Sequence, residues 1–128
     1  MTKRSVLLTG ATGYIAGLLL PALRERYEVR LTDARSTDRD GRPVAGIIAA
    51  DLLESTASEL TSLVAGADAI VHCAYHRPAG DDPQSQYDGE RRNVDMMQRV
   101  YQLALSHGVR RVVAASTNQA AKWYEQPY

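Results

Sequence analysis

A short apolar run that leads directly into a turn with regularly spaced glycines is the feature that most restricts how this chain can fold. Val6-Leu7-Leu8 predicts strand 1, and residues 9–17, Thr-Gly-Ala-Thr-Gly-Tyr-Ile-Ala-Gly, overlap the start of a helical pattern over residues 14–26. Gly10 allows a tight turn off the strand, and without a Cβ at Gly13 a phosphate group can approach the first N–H groups of the helix. This order of strand, glycine loop and helix predicts a unit that binds a dinucleotide, and a glycine-rich turn without a ligand is the alternative.

Short apolar runs and helical segments alternate along the rest of the chain. The predicted strands 2 to 5 cover residues 28–33, 45–50, 69–73 and 111–115, and the later helices cover residues 56–65 and the segment between Asp82 and Gly108. Strands 1, 3, 4 and 5 are nearly continuous apolar runs, the pattern of strands that are buried on both faces of a parallel sheet. With right-handed crossovers, the element order predicts an α/β fold: a doubly wound parallel sheet of about five strands, in the order 3-2-1-4-5.

The first helical segment contains a proline. Pro21 removes a backbone N–H and crowds the preceding turn, so we expect a kink or a local break there. The small residues Ala16 and Gly17 are expected to let the helix pack closely on the sheet. The stripe predicted to face the core consists of Ile15, Leu18, Leu19 and Leu23.

Composition excludes several classes of protein. The 15 Lys+Arg balance the 15 Asp+Glu, and this zero net charge argues against nucleic acid as the main partner. No apolar run approaches the ~18 residues of a membrane-spanning helix, and the first apolar segment is too short for a secretion signal. The single cysteine, Cys73, excludes an internal disulfide and suits a reducing compartment. We therefore expect a cytoplasmic protein whose partner is a small molecule and not a membrane.

Two acidic residues stand at predicted strand ends. Asp33 lies 20 residues beyond Gly13, where a carboxylate can accept both hydroxyls of an adenosine ribose and would repel the 2′-phosphate of NADP. This favours NAD, although Arg35 would offset the repulsion, and a cap of the following loop is another role open to Asp33. Asp51-Leu52 ends strand 3, where the adenine edge would lie. Asp51 is either an acceptor for the adenine amino group or a solvated strand-end residue.

Taken in order, these motifs resemble the extended short-chain dehydrogenase/reductase family, also called NAD-dependent epimerase/dehydratases. Residues 9–17 resemble that family's Thr-Gly-x-x-Gly-x-x-Gly, with Ala16 at the third glycine, and Val71-His72-Cys73-Ala74 resembles its strand 4 segment. The resemblance covers nearly the whole chain and implies a Rossmann-like fold with NAD as cofactor. The cofactor-binding residues that it implies are Gly10, Thr12, Gly13, Tyr14, Ile15, Asp33, Asp51, Leu52, Cys73, Ala74 and Asn93.

The polar residue Asn93 interrupts an apolar helical face shared with Met97, Val100 and Ala104, so its side chain must find partners or cost stability. In the family the matching Asn ties this helix to the strand 4 backbone and supports a proton-relay water. The resemblance therefore implies a catalytic role for Asn93. A helix register one step different, with Asn93 exposed, is the alternative.

Within the family, the chain looks closest to uronate dehydrogenase-like members. Residues 116–119, Ser-Thr-Asn-Gln, stand where those members show Ser-Ser-Asn-His, which implies a catalytic hydroxyl at Thr117 and substrate contacts at Asn118 and Gln119. The change from His to Gln leaves the substrate open.

The loop after strand 4 leaves the carboxyl end of a central strand, where ligands bind in such sheets. Tyr75 and His76 are therefore further candidates for substrate contact. No metal is expected at His72, Cys73 and His76, because their spacing lacks a fourth ligand.

The family's chemistry also needs a Tyr-x-x-x-Lys pair, whose Tyr moves a proton and whose Lys lowers the pKa of that Tyr. The 128 residues contain no such pair, and Tyr124 is followed four residues later by Tyr128. We therefore expect residues 1–128 to be the dinucleotide-binding domain and N-terminal part of a longer enzyme, with the substrate lobe absent. That enzyme would be an oxidoreductase or epimerase/dehydratase acting on a sugar or sugar acid.

We expect residues 1–128 alone to be inactive, because they lack the Tyr-x-x-x-Lys pair. A non-enzymatic dinucleotide-binding or redox-sensing module is the alternative function. The open edge of strand 5 would also allow two chains to pair as a homo-oligomer.

Overall fold

The computed structural model describes residues 2–116 as a parallel sheet with helices on both faces. The strands are β1 (Ser5–Thr9), β2 (Glu28–Asp33), β3 (Ile47–Ala49), β4 (Ala69–His72) and β5 (Arg111–Ala114), and the helices are α1 (Tyr14–Arg26), α2 (Ala57–Val64) and α3 (Pro83–Ser106). The sheet order is β3-β2-β1-β4-β5, and every neighbouring pair is parallel. The predicted doubly wound α/β fold and its strand order are confirmed.

Two neighbouring residues of β1 show how the sheet divides the core. Leu7 is buried among residues of α2 and α3, and Leu8 is buried against Ala16 of α1 on the opposite face. Because successive side chains of a strand point to opposite faces and both faces are covered, the central residues of β1, Val6 to Leu8, are all apolar. This explains why its sequence does not alternate.

Local signals set the helix ends. Thr56 and Glu59 form the capping box that begins α2, with each residue's side chain accepting the other's backbone N–H. Asp82 caps α3 by accepting the N–H of Ser85, and Gly108, with φ +66°, lies just beyond the end of that helix. These ends lie within one or two residues of the predicted ones.

The predicted core-facing stripe of α1 is wrong for three of its four residues. Leu18 is 62% exposed and Ile15 is 52% exposed, whereas the sheet contacts come from Ala16, Leu20 and Leu23. The run of three leucines at 18–20 supports two apolar stripes one residue apart, and sequence periodicity cannot choose between them. Leu19 is also exposed.

The close packing expected from Gly17 comes from Ala16 alone. A Cβ placed on Gly17 would meet nothing within 4 Å. Ala16, by contrast, is only 1% exposed.

The local break expected at Pro21 is also absent, because α1 is continuous from Tyr14 to Arg26. Pro21 leaves the carbonyl of Gly17, four residues earlier, without its helical partner. Both residues are exposed, so water can bind that carbonyl.

The outer strands are more exposed than expected. Ile48 in β3 is 47% exposed and Val113 in β5 is 50% exposed, so neither strand is buried on both faces. The reason is position, because β3 and β5 are the two edges of the sheet among residues 2–116. Over the same residues, no helix combines the length and the hydropathy needed to cross a membrane.

Candidate functional site

The glycine loop lies between β1 and α1 at the carboxyl end of the sheet. Gly10 has φ +65°, and a Cβ there would lie 2.5 Å from the backbone joining Cys73 to Ala74. Glycine is therefore needed at position 10 both for the turn and for the close approach of the loop to the end of β4.

Gly13 is the N-cap of α1 and provides no side-chain cap, and the first turn of α1 contains no acidic residue. A Cβ on Gly13 would meet only the carbonyl oxygen of Gly10, at 3.1 Å. The N–H groups at the start of a helix, together with the helix dipole, favour an anion. The start of α1 therefore has the composition of a phosphate site, and the missing side chain of Gly13 leaves room for the ligand.

Asp33 is held by this same loop. Its Oδ2 accepts from the backbone N–H of Thr12 at 3.0 Å and from the Thr12 hydroxyl at 2.7 Å. Its Oδ1 accepts from the N–H of Ala34 at 2.7 Å, which is the loop-capping role considered from the sequence. Thr12, predicted as a cofactor contact, directs both of its donors to Asp33 and so fixes the orientation of that carboxylate.

A cleft of about 930 Å³ opens above the carboxyl ends of β1, β2 and β4. Its volume suits a ligand of cofactor size. The predicted residues that line it are Gly10, Thr12, Gly13, Tyr14, Ile15, Asp33, Asp51, Leu52, Cys73, Ala74, Tyr75 and His76. The fold therefore brings every described candidate for cofactor or substrate contact to one cleft, with the exception of Asn93.

Asp51 and Leu52 begin the turn that leads from β3 to α2. One carboxylate oxygen of Asp51 accepts the N–H groups of Leu53 and Glu54, at 2.8 and 3.2 Å. Leu52 is buried and contributes to the core as well as to the cleft wall. Asp51 thus has a local structural role, and its other carboxylate oxygen appears in no hydrogen bond among the described residues.

Asn93 binds the backbone of the loop after β4 and does not line the cleft. Its Oδ1 accepts the N–H of His76 at 2.7 Å, and its Nδ2 donates to the carbonyls of His76 at 2.9 Å and Gly89 at 3.1 Å. The contact falls on this loop and not on β4 itself. These bonds hold the loop whose residues Tyr75 and His76 line the cleft. The exposed alternative for Asn93 is not what the structure shows.

Gly89 allows a close contact between α3 and the loop after β4 that no sequence motif indicated. A Cβ on it would lie 2.9 Å from the Cα of Pro78 in the same loop. A glycine inside a predicted helix was the available signal. Together, Gly89 and Asn93 bring α3 and the loop into contact.

His72 is buried beside the cleft, whereas Cys73 is partly buried and lines the cleft. His72 is 5% exposed, its Nδ1 lies 2.7 Å from the hydroxyl of Thr9, and burial lowers its pKa. Burial raises the pKa of the Cys73 thiol, which disfavours a reactive thiolate. Across residues 2–116, no three His, Cys, Asp or Glu side chains are grouped as a metal site.

Arg39 and Arg92 also line the cleft, and no motif marked them. Arg92 lies 3.4 Å from Glu54, and its buried Nε has no hydrogen-bond partner within the described part of the chain. Arg39 lies above the ring of Tyr14. The predicted catalytic Thr117 and the predicted substrate contacts Asn118 and Gln119 fall outside the described residues.

Comparisons with known proteins agree on one family. The profile described as "NAD dependent epimerase/dehydratase family" matches residues 6–127. The chain is 32% identical over 122 residues to a uronate dehydrogenase from Pseudomonas putida and 30% identical over 126 residues to an NAD-dependent glucose-6-phosphate dehydrogenase from Haloferax volcanii. Each of these matches covers 94% of this chain.

Among solved structures, a short-chain dehydrogenase/reductase superfamily protein from Agrobacterium tumefaciens with bound NAD superposes with a TM-score of 0.70 at 25% identity. The match covers 91% of this chain and 33% of that one. The chain spans 43% and 45% of the lengths of the two curated relatives, so it corresponds to less than half of either enzyme.

Proposed function

The chain belongs to the NAD dependent epimerase/dehydratase family, and we propose that its cleft binds NAD. The arrangement of Gly13 and Asp33 carries this proposal. A helix N-terminus without a side-chain cap and a carboxylate held by the adjoining loop line the same cleft. These are the groups that suit the pyrophosphate and the adenosine ribose of one dinucleotide.

The dinucleotide would lie across the carboxyl end of the sheet. The first N–H groups of α1, at Tyr14 and Ile15, would bind the pyrophosphate, and Asp33 would accept the ribose hydroxyls. Asp51 would accept the adenine amino group, and Leu52 would pack beside the base. Cys73 and Ala74, at the end of β4, would form the wall towards the nicotinamide.

NAD in preference to NADP follows from Asp33. With one oxygen held by Thr12, its carboxylate lines the cleft. At the ribose site proposed for it, a 2′-phosphate would meet negative charge. Arg35 also lines the cleft and would reduce this repulsion. Discrimination between the two cofactors is therefore the property most sensitive to these two side chains.

We further propose that residues 1–128 are the dinucleotide-binding domain of a longer oxidoreductase or epimerase/dehydratase that acts on a sugar or sugar acid. The names of the relatives support this substrate class. Bound NAD would supply the hydride acceptor. The Thr117 hydroxyl would polarise the reacting oxygen, Asn118 and Gln119 would contact the substrate, and Asn93 would hold the loop that carries Tyr75 and His76.

These 128 residues contain no Tyr-x-x-x-Lys pair, the pair that would carry out proton transfer. A positioned general acid–base group typically contributes 10²–10⁴-fold to a rate. We therefore propose that the 128 residues bind NAD without turning over a substrate. Steady NADH formation by the purified chain with galacturonate or glucuronate would contradict this.

The proposal also covers the location, the partner and the oligomeric state of the protein. We propose a cytoplasmic location, which agrees with a single, partly buried cysteine, and a sugar-like small molecule as the partner in place of nucleic acid or membrane. We also propose a homo-oligomer in which the β5 edge participates, since Val113 is half exposed on that strand. Titration of the chain with NAD tests the central part of the proposal.

A further inference from the structure

We infer that Arg39, which no sequence motif marked, binds the diphosphate of the dinucleotide. The inference rests on the proposed NAD site and adds to it a residue that lies outside the sequence motifs. Arg39 lies in the connection between β2 and β3 and lines the same cleft as Gly13 and Asp33. Three features of its setting support this role.

The first feature is a fixed backbone. The side chain of Asp38 accepts the N–H groups of Asp40 and Arg42, each at 2.9 Å, and the backbone N–H of Asp38 donates to the carbonyl of Arg42 at 2.9 Å. Gly41 closes the turn with φ +77° and an N–H bond to the Asp38 carbonyl at 3.1 Å. Arg39 is therefore held at the tip of an ordered hairpin, which lowers the entropy lost when its side chain binds a ligand.

The second feature is the direction of the side chain. The Arg39 guanidinium carbon lies 5.1 Å from the centre of the Tyr14 ring, within the range of a cation–π contact. Tyr14 is the first residue of α1 and follows the N-cap Gly13. The contact therefore holds a positive charge beside the helix end that suits a phosphate.

The third feature is the charge balance. Arg42, in the same hairpin, has an ion pair with Asp40 at 3.9 Å, whereas Arg39 has no ion pair among residues 2–116. The first turn of α1 also contributes no acidic side chain. A guanidinium group matches the oxygens of a phosphate with two parallel donors, so a phosphate ester would complete this site.

The position of Tyr14 favours the diphosphate, and not a 2′-phosphate, as the group that Arg39 contacts. The ring that holds Arg39 belongs to the residue next to Gly13, and the pyrophosphate is the group expected at that helix end. A 2′-phosphate would instead lie beside the carboxylate of Asp33. Arg39 should therefore increase affinity for every ligand that carries the diphosphate, with or without the 2′-phosphate.

The test is a set of titrations of the 128-residue chain with NAD, ADP-ribose, NADP and adenosine. Arg39→Ala should weaken NAD, ADP-ribose and NADP by about tenfold, the scale of one charge-assisted hydrogen bond, and should leave adenosine unchanged. Arg42→Ala is the matched control from the same hairpin and should behave like the wild type. Tyr14→Leu should reproduce part of the Arg39→Ala loss, because it removes the ring that holds the guanidinium.

Each contrary result has a distinct meaning. Equal NAD affinity in Arg39→Ala and the wild type would overturn the inference while leaving the proposed function intact. A loss confined to NADP would assign Arg39 to the 2′-phosphate, and an equal loss for adenosine would assign it to the nucleoside, and either would overturn the diphosphate contact. If the wild type binds neither NAD nor ADP-ribose, the proposed function and the inference are both overturned. Thermal unfolding of each variant shows whether it is folded.

Discussion

The hydroxyl and the backbone N–H of Thr12 both donate to one carboxylate oxygen of Asp33, at 2.7 and 3.0 Å. This pair joins the glycine loop to the end of β2. The neighbouring backbone bond from Ala11 to the carbonyl of Thr32, at 3.1 Å, supports the same junction. The helix end proposed for the pyrophosphate and the carboxylate proposed for the ribose are therefore joined before any ligand binds.

The first prediction concerns this coupling. Thr12→Val keeps the size of the side chain and removes its donor, so Asp33 loses one charge-assisted bond. We expect the free energy of unfolding to fall by about 1–3 kcal/mol and NAD affinity to fall with it. Urea unfolding and NAD titration measure the two effects. Thr12→Ser restores the hydroxyl and should recover both, and a Ser variant as weak as the Val variant would contradict the assigned role.

The second prediction concerns cofactor choice. Asp33→Asn removes the charge but keeps an acceptor for Thr12, so the preference for NAD over NADP should fall by about tenfold, or about 1.4 kcal/mol. The ratio of the two dissociation constants measures this change. Asp40→Asn, in the hairpin that carries Arg39, should leave the ratio unchanged. A wild type that prefers NADP would contradict the role of Asp33.

The third prediction concerns pH. Burial lowers the pKa of His72, so the unfolded chain binds a proton at this site more readily than the folded chain does. The stability contributed by neutral His72 is therefore fully present above the unfolded pKa of about 6.5 and is lost as pH falls below that value. Urea unfolding at pH 8 and at pH 5.5 should show the loss.

Two variants isolate the His72 contribution. His72→Gln should flatten this part of the pH profile, while His76→Gln changes an exposed side chain and should not. An unchanged acid loss in His72→Gln would show that another group causes it.

The sequence was sufficient for the elements that local signals define. Thr56 with Glu59, and Asp82 with Pro83, predicted helix starts because these caps satisfy N–H groups within a few residues. The glycine loop and the acidic residue at the end of strand 2 predicted the cleft because topology brings strand ends together.

Features that depend on tertiary contacts were harder to predict. The face of α1 was wrong because the leucine run 18–20 allows two stripes, and only the contact of Ala16 with the core selects one. Arg39 was missed because its direction depends on the hairpin between β2 and β3, which no sequence motif marks. The sequence indicated that Asn93 needs hydrogen-bond partners, but its contact with His76 depends on how the loop after β4 folds.

The most direct test of the account is NAD binding by Gly13→Val, with Gly17→Val as the matched control. A side chain at Gly13 would occupy the space where the pyrophosphate meets α1, whereas a Cβ at Gly17 has nothing within 4 Å and lies outside the cleft. Isothermal titration calorimetry measures binding, and far-UV circular dichroism confirms the fold. The account predicts NAD binding by the wild type and Gly17→Val and none by a folded Gly13→Val. Undiminished NAD binding by Gly13→Val would contradict it, because the dinucleotide would then lie elsewhere.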